Sequence, residues 1–407
     1  MASTPIADLR SLNLVLTAGC NLRCSYCYEN DKKDRSISWD VVRVALDRLL
    51  ASRRSDVRVL FIGGEPLMEF PMIERAVAYL AERRRPDMAI RHSIITNGLL
   101  LGERELEFLV RHRFHVKLSF DGVEPAQQRR GKHTFATLDA LLDRLRGEHP
   151  VFYEDRFKIN LTLLPDTIEW LPDSVEYFIH DKRVQDLAIS PQFTETSTWR
   201  VEQIDELDRA FERVYRTSLR RFRETGEVPV EVFRKAGPRR RAERPESIEM
   251  CGVGGGDQLA VDVDGQAHGC LTFAESYQTF PTTFLRSRVE AIRLGDIRDI
   301  NFKYRLQAFP AAIEAAGIFT HKEQKYSSYG RCGDCRHLAE CSVCPMSIGR
   351  TEGDADPRRV PDFSCAYNLI ALKYRARFPR MRTLAERLAG PPAAGRRLWP
   401  ASTSSSA

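Results

Sequence analysis

The sequence predicts an α/β fold: a partial (β/α)6 barrel of the TIM-like kind, followed by a cysteine-rich, loop-dominated domain. Short β-rich segments alternate with helix-periodic segments about six times between residues 12 and 190, which is typical of a parallel sheet covered by helices. After residue 250 the character changes, because seven of the ten cysteines lie there among many glycines. A region with so little core-forming periodicity needs metal ions or clusters to hold it together.

The predicted strands are apolar, β-rich segments bounded by turn residues. They are residues 12–17, 57–62, 89–96, 115–120, 158–163 and 186–190. Residues 39–51 have their apolar positions on one helical face, behind Ser38 as N-cap, and predict the first helix. In such a barrel the functional groups lie in the loops at the C-terminal ends of the strands.

Four parts are expected along the chain. The barrel covers residues 1–195, a helical basic connector residues 196–249, and the cysteine-rich domain residues 250–377. The connector opens with a long charged helix over residues 200–224, and Asp264-Gly265 predicts a hairpin in the third part. Residues 378–407 contain Pro391-Pro392, end in a small, polar Ser/Thr/Ala stretch and are expected to form a disordered tail.

Composition and charge exclude some classes of protein. The 407 residues are 43% hydrophobic, yet no apolar run approaches the roughly 20 residues of a membrane span. Residues 1–10 lack the apolar core of a signal peptide, so a cytoplasmic location is expected, where cysteines serve as metal ligands more often than as disulfides.

The surplus positive charge lies in one segment, residues 216–244, with ten Arg or Lys and four Glu. This segment is interpreted either as a solvated face or as a docking site for an acidic partner or substrate. Nucleic-acid binding is not favoured, because no aromatic residues interleave the basic ones and no recognisable module is present.

Three cysteines follow the first predicted strand: Cys20, Cys24 and Cys27, in a C-x3-C-x2-C pattern. Three thiolates in one short loop can hold three irons of a 4Fe–4S cluster, which leaves the fourth iron open to a substrate or cofactor. The alternative from this loop alone is a zinc site with a distant fourth ligand.

The triplet, with Tyr26 and Tyr28 beside it, resembles the radical SAM enzymes, and motifs at four further strand ends extend the resemblance. Carried over residue by residue, it implies that S-adenosylmethionine is bound by Gly63, Gly64, Glu65, Pro66, Asn97, Ser119, Asp121, Arg130 or its neighbour Arg129, and Leu163. The glycines let backbone approach a ligand closely. The resemblance implies reductive cleavage of S-adenosylmethionine and abstraction of a hydrogen atom by the 5'-deoxyadenosyl radical.

The remaining cysteines resemble the SPASM (twitch-like) extension of these enzymes, which carries two auxiliary 4Fe–4S clusters. One cluster is then held by Cys332, Cys335, Cys341 and Cys365, and the other by Cys251, Cys270 and Cys344. Cys344 follows its neighbour one residue earlier than is usual in the family. Asp257 occupies a position where some members have a further cysteine, so Asp257, substrate or solvent completes the second cluster. Zinc is the alternative for the compact C-x2-C-x5-C-x2-C pattern.

The resemblance implies a peptide substrate, since SPASM-bearing enzymes mostly act on peptides or proteins. The expected function is the maturation of a ribosomally made peptide (a RiPP) through an oxidative crosslink or related modification. Alternatives are peptide epimerisation, which lacks a spare cysteine here, and sulfatase-maturase-like oxidation, which Leu271 disfavours because that subfamily has an aspartate there. A small-molecule radical SAM enzyme and a non-catalytic iron–sulfur or zinc protein that binds nucleic acid also stay open.

Partners and general catalytic residues are less defined by the sequence. Asp121, His133, Asp166, Tyr326 and Tyr329 are polar candidates, but none is assigned as catalytic. The expected partners are a low-potential electron donor of the flavodoxin or ferredoxin type and a separate leader-peptide recognition protein, because only 19 residues precede Cys20.

Overall fold

The computed structural model describes the chain in thirteen stretches. They are residues 8–27, 29, 32, 34–192, 199–200, 202–234, 256–274, 283–291, 293–315, 322–341, 344, 356 and 358–378. The basic residues after 234, Cys251, Tyr28 and the predicted tail beyond residue 378 therefore lie outside the described residues.

Six parallel strands form the first part of the sheet, as the sequence predicts. They are β1 (Ser11–Val15), β2 (Asp56–Ile62), β3 (Ala89–Thr96), β4 (His115–Ser119), β5 (Phe157–Leu163) and β6 (Leu187–Pro191). Their order across the sheet follows the chain from β1 to β6, and every neighbouring pair is parallel. Consequently the C-terminal ends of all six strands meet at one edge, where the functional loops are expected.

Helices cover the outer face of this sheet. They are α1 (Trp39–Leu50), α2 (Phe70–Arg83), α3 (Glu103–Arg111), α4 (Glu124–Gln127), α5 (Thr134–Glu148), α6 (Pro150–Arg156) and α7 (Leu171–Glu176). The predicted N-cap of α1 is present, because the side chain of Ser38 accepts a hydrogen bond from the backbone of Val41. One face of α1 is buried against the sheet, so the amphipathic pattern and the packing agree.

The sheet continues beyond β1 into the predicted cysteine-rich region. The expected hairpin forms from β7 (Gln258–Val261) and β8 (Gln266–His268), but β7 also pairs in parallel with β1. A ninth strand, β9 (Gly295–Asp296), pairs with β8. Without the hairpin, the edge of β1 would expose unpaired backbone N–H and C=O groups. The hairpin therefore extends the sheet.

The region after residue 196 also holds more helix than the sequence predicts. It contains α8 (Gln203–Thr225), α9 (Thr283–Ala291), α10 (Phe302–Ala315) and α11 (Asp362–Arg377), together with a short hairpin of β10 (Tyr326–Ser327) and β11 (Gly330–Arg331). Buried residues point in several directions around α11. A helix buried on more than one side has no amphipathic period, which explains why no pattern in the sequence predicts it.

Helix α8 packs its apolar face against the rest of the protein and exposes its charged face to solvent. Its apolar face is buried, and Phe211 contacts Tyr367 of α11 edge to face at 5.6 Å. On its polar face Arg216 pairs with Glu212 at 2.7 Å, and Arg234 beyond the helix pairs with Asp186 at 3.1 Å. In the described part of the basic segment, these pairs favour the interpretation of a solvated, internally neutralised surface.

Among the described residues, no helix combines the length and the apolar character needed to cross a membrane.

Candidate functional site

The cysteine triplet lies in the loop after β1, at the C-terminal edge of the sheet. Backbone N–H groups point at its sulfur atoms: Leu22 donates to the sulfur of Cys20 at 3.4 Å, and Glu29 donates to that of Cys27. Burial raises the pKa of both thiols, and each also interacts electrostatically with Cys24 between them. The loop therefore gathers three thiols within electrostatic range of one another.

The donor set of this loop fits an iron–sulfur cluster. In the described part of the chain, no three His, Cys, Asp or Glu side chains already converge on one metal position, so ligation requires these thiols to turn toward a common point. Three partly exposed thiols with backbone N–H donors aimed at sulfur are the groups that such a cluster uses. Lys32 lowers the pKa of Cys20 and Cys27 and so favours the thiolates needed for ligation.

Gly63 and Gly64 fix this loop against the end of β2. The backbone N–H of Gly64 donates to the carbonyl of Thr17 at 2.8 Å, and that of Glu65 donates to the carbonyl of Gly19 at 3.0 Å. A Cβ atom at Gly64 would lie 2.2 Å from that Gly19 oxygen, and one at Gly63 would lie 2.4 Å from the Thr17 oxygen. The close approach that requires glycine is therefore to the backbone before Cys20, and a contact with a cofactor stays a prediction.

Glu65 joins the ends of β2 and β3. It is fully buried, and its carboxylate accepts hydrogen bonds from the hydroxyl of Thr96 and the backbone of Asn97, both at 2.7 Å, and from the backbone of Leu67 at 3.1 Å. Pro66 begins the short 3-10 turn that follows. The described contacts of Glu65 are thus structural, and its predicted contact with a cofactor is not tested by them.

Asn97 links that junction to the cysteine loop. Its side-chain amide donates to the side chain of Asn21 at 2.7 Å and lies 3.8 Å from the sulfur of Cys20. Asn97 is itself buried, so this contact holds the first cysteine at a defined position relative to β3. The predicted site residues Glu65, Pro66 and Asn97 therefore converge on the loop.

We expect Glu65 to contribute a fall in stability between pH 6.5 and 8.5. Burial raises its pKa to about 7 from 4.5, although three hydrogen bonds oppose the change. The folded state keeps a proton that the unfolded chain has released, so the contribution is full below pH 4.5 and is lost as pH rises through 7. Its loss over this range is worth about 1 kcal/mol.

Thermal unfolding at pH 6.5, 7.5 and 8.5 measures this effect. The variant Glu65→Gln should be less stable than the wild type throughout, because an amide N–H2 would face a backbone donor, and its dependence on pH should be flatter. The buried His92 and His268, whose pKa values burial lowers from 6.5 to about 4, bind protons only in the unfolded chain near pH 6.5 and make stability rise with pH. Because they are the same in both proteins, the difference between the two slopes reports on Glu65. Equal slopes for the two proteins would contradict the assignment.

A buried network lies at the ends of β4 and β5. Asp121 accepts hydrogen bonds from the hydroxyl of Tyr26, the guanidinium of Arg130 at 2.9 Å and the backbone of Thr162 at 2.9 Å. Arg130 also stacks over the Tyr26 ring, with 5.4 Å between its guanidinium carbon and the ring centroid. Burial opposes the charge of Arg130, but Asp121 more than compensates and raises its pKa. This ion pair ties Tyr26, between the cysteines, to the sheet.

The two candidate arginines have different environments. Arg130 is buried, and its Nε atom has no hydrogen-bond partner among the described residues. Arg129 is half exposed and pairs with Asp166 at 2.6 Å. The role of either arginine in binding the carboxylate of S-adenosylmethionine stays a prediction.

The side chain of Leu163 faces the apolar core, and its contact with a cofactor stays a prediction. Its side chain is 1% exposed within the main apolar core, on the same side of β5 as Phe157, Ile159 and Leu161. Because strand side chains alternate with a period of two, the opposite side of β5 carries Asn160 and Thr162. Thr162, whose hydroxyl accepts from Arg130 at 3.1 Å, is the residue of β5 that reaches the site.

Two further buried polar residues beside the loop are not predicted from the sequence. Glu29 is 2% exposed, and its Oε1 atom has no hydrogen-bond partner among the described residues. Burial raises its pKa to about 8, with Asp262 adding to the effect and Lys32 opposing it. In the sequence, the feature that could have drawn attention to Glu29 is its position two residues after Cys27. The side-chain amide of Gln192 donates a hydrogen bond to the carbonyl of Tyr26 at 3.2 Å. No local sequence pattern predicts this contact.

Part of the predicted auxiliary ligand set is also brought together. Burial raises the pKa of Cys332, and Cys365 and Cys335 add to that effect electrostatically, so these three thiols are neighbours. Burial lowers the pKa of Lys325 to about 8, and Lys325 interacts electrostatically with Cys332, Cys341 and Cys344. Cys332 therefore lies near Cys335 and Cys365, and Lys325 lies near Cys332, Cys341 and Cys344. The division of these thiols between two clusters stays a prediction.

The second auxiliary set is not assembled by the described residues. Cys251 lies outside them, and the sulfur of Cys270 contacts the hydroxyl of Thr272 at 3.1 Å. Asp257 precedes β7, its carbonyl accepts from the backbone of Arg10 at 2.7 Å, and its carboxylate lies 3.8 Å from Arg54. Its predicted role as a cluster ligand, like that of Cys344, stays a prediction.

Two cavities adjoin the barrel. One of about 740 Å³ lies beside Tyr26 and Gln192, between the cysteine loop and α8. The other, of about 820 Å³, occupies the inner face of the sheet toward the N-terminal ends of the strands. Both volumes are in the range of ligand-binding pockets.

Comparison with known proteins agrees with this geometry. Residues 14–178 match the family model of the Radical SAM superfamily. The chain is 22% identical over 200 residues to the radical SAM cyclopropyl synthase TigE of Paramaledivibacter caminithermalis, covering 45% of this chain and 41% of TigE.

Two solved structures have the same fold. Native anSMEcpe with bound AdoMet superposes with a TM-score of 0.69 at 19% identity, covering 93% of this chain and 100% of that one. Streptococcus suis SuiB bound to precursor peptide SuiA superposes with a TM-score of 0.56 at 16% identity, covering 88% of this chain and 76% of SuiB.

The parallel sheet and the three-cysteine loop at its C-terminal edge define the class of this protein, a radical SAM fold. The match over residues 14–178 and the shared fold agree with the radical SAM domain that the motifs predict. The chain spans between 31% and 60% of the length of the first three curated relatives that it matches.

Proposed function

We propose that this protein is a radical S-adenosylmethionine enzyme that modifies a ribosomally made peptide, installing an oxidative crosslink or a related change. The observation that carries the proposal is the position of the cysteine loop. It is fixed by Gly63 and Gly64 on one side and by the Asp121–Arg130 ion pair on the other. Such a doubly anchored loop holds reactive groups in a fixed orientation, which radical chemistry requires.

Each part of the site has a role in this proposal. Cys20, Cys24 and Cys27 hold a 4Fe–4S cluster, and Arg130 and the end of β2 orient S-adenosylmethionine. Bound there, these groups would supply a 5'-deoxyadenosyl radical that could remove a hydrogen atom from the substrate, and clusters held by the other seven cysteines would be available to accept the electron released when the new bond forms. The net change in a crosslinked peptide is the loss of two hydrogens, one as an atom and one as a proton with its electron.

In this proposal the protein keeps water away from the reactive groups and limits side reactions. Val15, Ile62, Val263 and Ala274 form a small apolar cluster, with Leu271 packed against it. An apolar wall near the cysteine loop gives a reactive radical few groups to attack other than its substrate. Leu271 within this wall also argues against a base at that position, as sulfatase-maturase-like oxidation would use.

A peptide substrate is supported by what the related structures contain. SuiB is bound to the precursor peptide SuiA, and anSMEcpe has been solved with a peptide besides AdoMet. In this proposal an electron donor of the flavodoxin or ferredoxin type and a separate leader-peptide recognition protein act with this chain. The domain that carries the two auxiliary clusters is residues 250–377.

Anaerobic reconstitution followed by reduction with dithionite tests the proposal. We expect S-adenosylmethionine to be converted to 5'-deoxyadenosine and iron to approach about 12 atoms per chain for three cubane clusters. Incubation with the short peptides encoded beside the gene should give a product lacking two hydrogens, measured by mass spectrometry. Zinc in place of iron, with no nucleoside formed, would refute the proposal. Nucleoside without any peptide product would restrict the conclusion to the radical step.

A further inference from the structure

The hairpin of β10 and β11 has one buried face. Lys325, directly before β10, is 4% exposed and Ser327 is 8% exposed, whereas Tyr326 between them is 36% exposed. This alternation follows the period of two in a strand, so Lys325 and Ser327 point to the same side. A buried ammonium and a buried hydroxyl both need polar or charged partners, because burial without them is costly.

The register of the hairpin places Cys332 on the same face. Tyr326 of β10 pairs with Arg331 of β11, so the next pair outward is Lys325 with Cys332. The backbone N–H of Cys332 donates to the carbonyl of Lys325 at 2.9 Å, which continues the ladder. Side chains directly opposite each other in an antiparallel pair lie on one side, with Cβ atoms about 5 Å apart. The side chains of Lys325 and Cys332 therefore start from neighbouring positions.

Further thiols approach this face. The side chain of Ser327 forms a hydrogen bond with the sulfur of Cys365 on α11. Lys325 interacts electrostatically with three thiols, those of Cys332, Cys341 and Cys344. No three of these side chains converge on one metal position in the described part of the chain. Several thiols within reach of one buried face nevertheless supply the donor set of an iron–sulfur cluster.

Backbone contacts hold the hairpin against the start of α11. The N–H of Tyr326 donates to the carbonyl of Arg358 at 2.9 Å, and the N–H of Val360 donates to the carbonyl of Tyr326 at 2.8 Å. The backbone of Ser328 donates to the side chain of Asp362, the first residue of α11, at 3.0 Å. The strand that positions the lysine is thus fixed relative to the helix that carries one of the thiols.

A cation at this position has a definite effect on a cluster held by these cysteines. Cysteines that ligate a metal are thiolates, and their negative charge stabilises a neighbouring ammonium. Reduction of the cluster by one electron adds negative charge beside that ammonium. The attraction is stronger in a buried site than in water. Since net charge and hydrogen bonds to sulfur help to set the potential of such clusters, the cation raises it.

We infer that Lys325 donates a charge-assisted hydrogen bond to the auxiliary cluster that Cys332 and Cys365 help to hold, and that it makes this cluster a better electron acceptor. This inference rests on the proposed function and adds to it a positioning residue for the oxidative step. As the new bond forms, the substrate loses one electron to this cluster and one proton to solvent. Lys325 acts through the cluster and not on the substrate.

A potentiometric titration followed by electron paramagnetic resonance tests the inference on the anaerobically reconstituted, full-length protein. The signal that changes when S-adenosylmethionine is added belongs to the cluster of the loop, and the other signals report on the auxiliary clusters. In Lys325→Met we expect one auxiliary midpoint potential to fall by about 59 mV, a tenfold change in the equilibrium constant of a one-electron couple. Lys325→Arg keeps the cation and should stay near the wild-type value. The control Lys303→Met removes an exposed cation from α10 and should leave all midpoints unchanged.

Three results would overturn the inference: unchanged auxiliary midpoints in Lys325→Met, an equal fall in Lys303→Met, or a wild type whose one signal is that of the loop. Iron analysis and circular dichroism accompany each variant. If Lys325→Met loses iron, Lys325→Gln, which is polar but uncharged, takes its place. Loss of an auxiliary cluster from both uncharged variants would also overturn the inference, because Lys325 would then act in cluster assembly.

Formation of 5'-deoxyadenosine by the same wild-type preparation separates the two proposals. If nucleoside forms and the midpoints do not move, only the present inference fails. If no nucleoside forms, the proposed function fails.

Discussion

The triple variant Cys20→Ala, Cys24→Ala, Cys27→Ala should form no detectable 5'-deoxyadenosine. Loss of one group that supports a metal ligand typically costs about 10–100-fold in metal affinity or activity, and removing all three ligands of the loop should exceed that range. Because the other seven cysteines are untouched, the iron content should fall by about four atoms per chain and not to zero. Chromatographic quantification of the nucleoside and a colorimetric iron assay measure both effects.

The matched control for this experiment is Ser25→Ala in the same loop. The Ser25 side chain is exposed, and among the described residues its one hydrogen bond is a long one, 3.4 Å, to the carbonyl of Arg129. Its replacement should leave both the iron content and nucleoside formation near the wild-type level. Nucleoside formation by the triple variant would mean that the loop does not carry the reactive cluster. A complete loss of iron would mean that the loop is needed for folding of the whole chain.

The variant Asp121→Asn should be destabilised by roughly 3 kcal/mol. The side chains of Asp121 and Arg130 are 2% and 8% exposed, so the substitution leaves a buried guanidinium without its counter-charge. Breaking a buried pair in this way typically costs about 3–5 kcal/mol. The hydroxyl of Tyr26 also loses an anionic acceptor, which loosens the cysteine loop and should lower nucleoside formation in the protein that remains folded.

Asp166→Asn is the matched control for the buried pair. It breaks the neighbouring ion pair with Arg129, in which the two side chains are 55% and 47% exposed. Exposed pairs are worth about 0–1 kcal/mol, so this variant should unfold close to the wild-type temperature. Thermal unfolding followed by circular dichroism compares the two. Equal destabilisation by both substitutions would contradict the assignment of the Asp121–Arg130 pair as the anchor of the loop.

The strands and the cysteine motif are predictable because their signals are local. The prediction for β3 (Ala89–Thr96) matches its observed boundaries, and those for the other five strands of the parallel sheet agree within one residue at the start and two at the end. Both a strand and a C-x3-C-x2-C loop can be recognised from a few consecutive residues. The same holds for Gly63 and Gly64, whose importance is predictable although the backbone that they approach is not.

The contacts that the sequence does not predict join residues far apart in the chain. Strand β7 pairs with β1, which brings Gln258 beside Ser11. On β5, only the orientation of the strand decides that Thr162 accepts a hydrogen bond from Arg130 while Leu163 faces the apolar core. The burial of Glu29 depends on what packs against the loop, which its position after Cys27 does not reveal.

The sequence by itself thus determined the class of fold, the reactive loop and the strand ends that surround it, because each depends on spacing within a short segment. Only the tertiary structure decided which groups share a buried environment: Asp121 with Arg130, Glu65 with Thr96 and Asn97, and Lys325 with the thiols of Cys332 and Cys341. Those partners are brought together by the register of neighbouring strands and by helix packing. Burial then makes their charges costly unless they are paired, and neither register nor burial is encoded in any one segment.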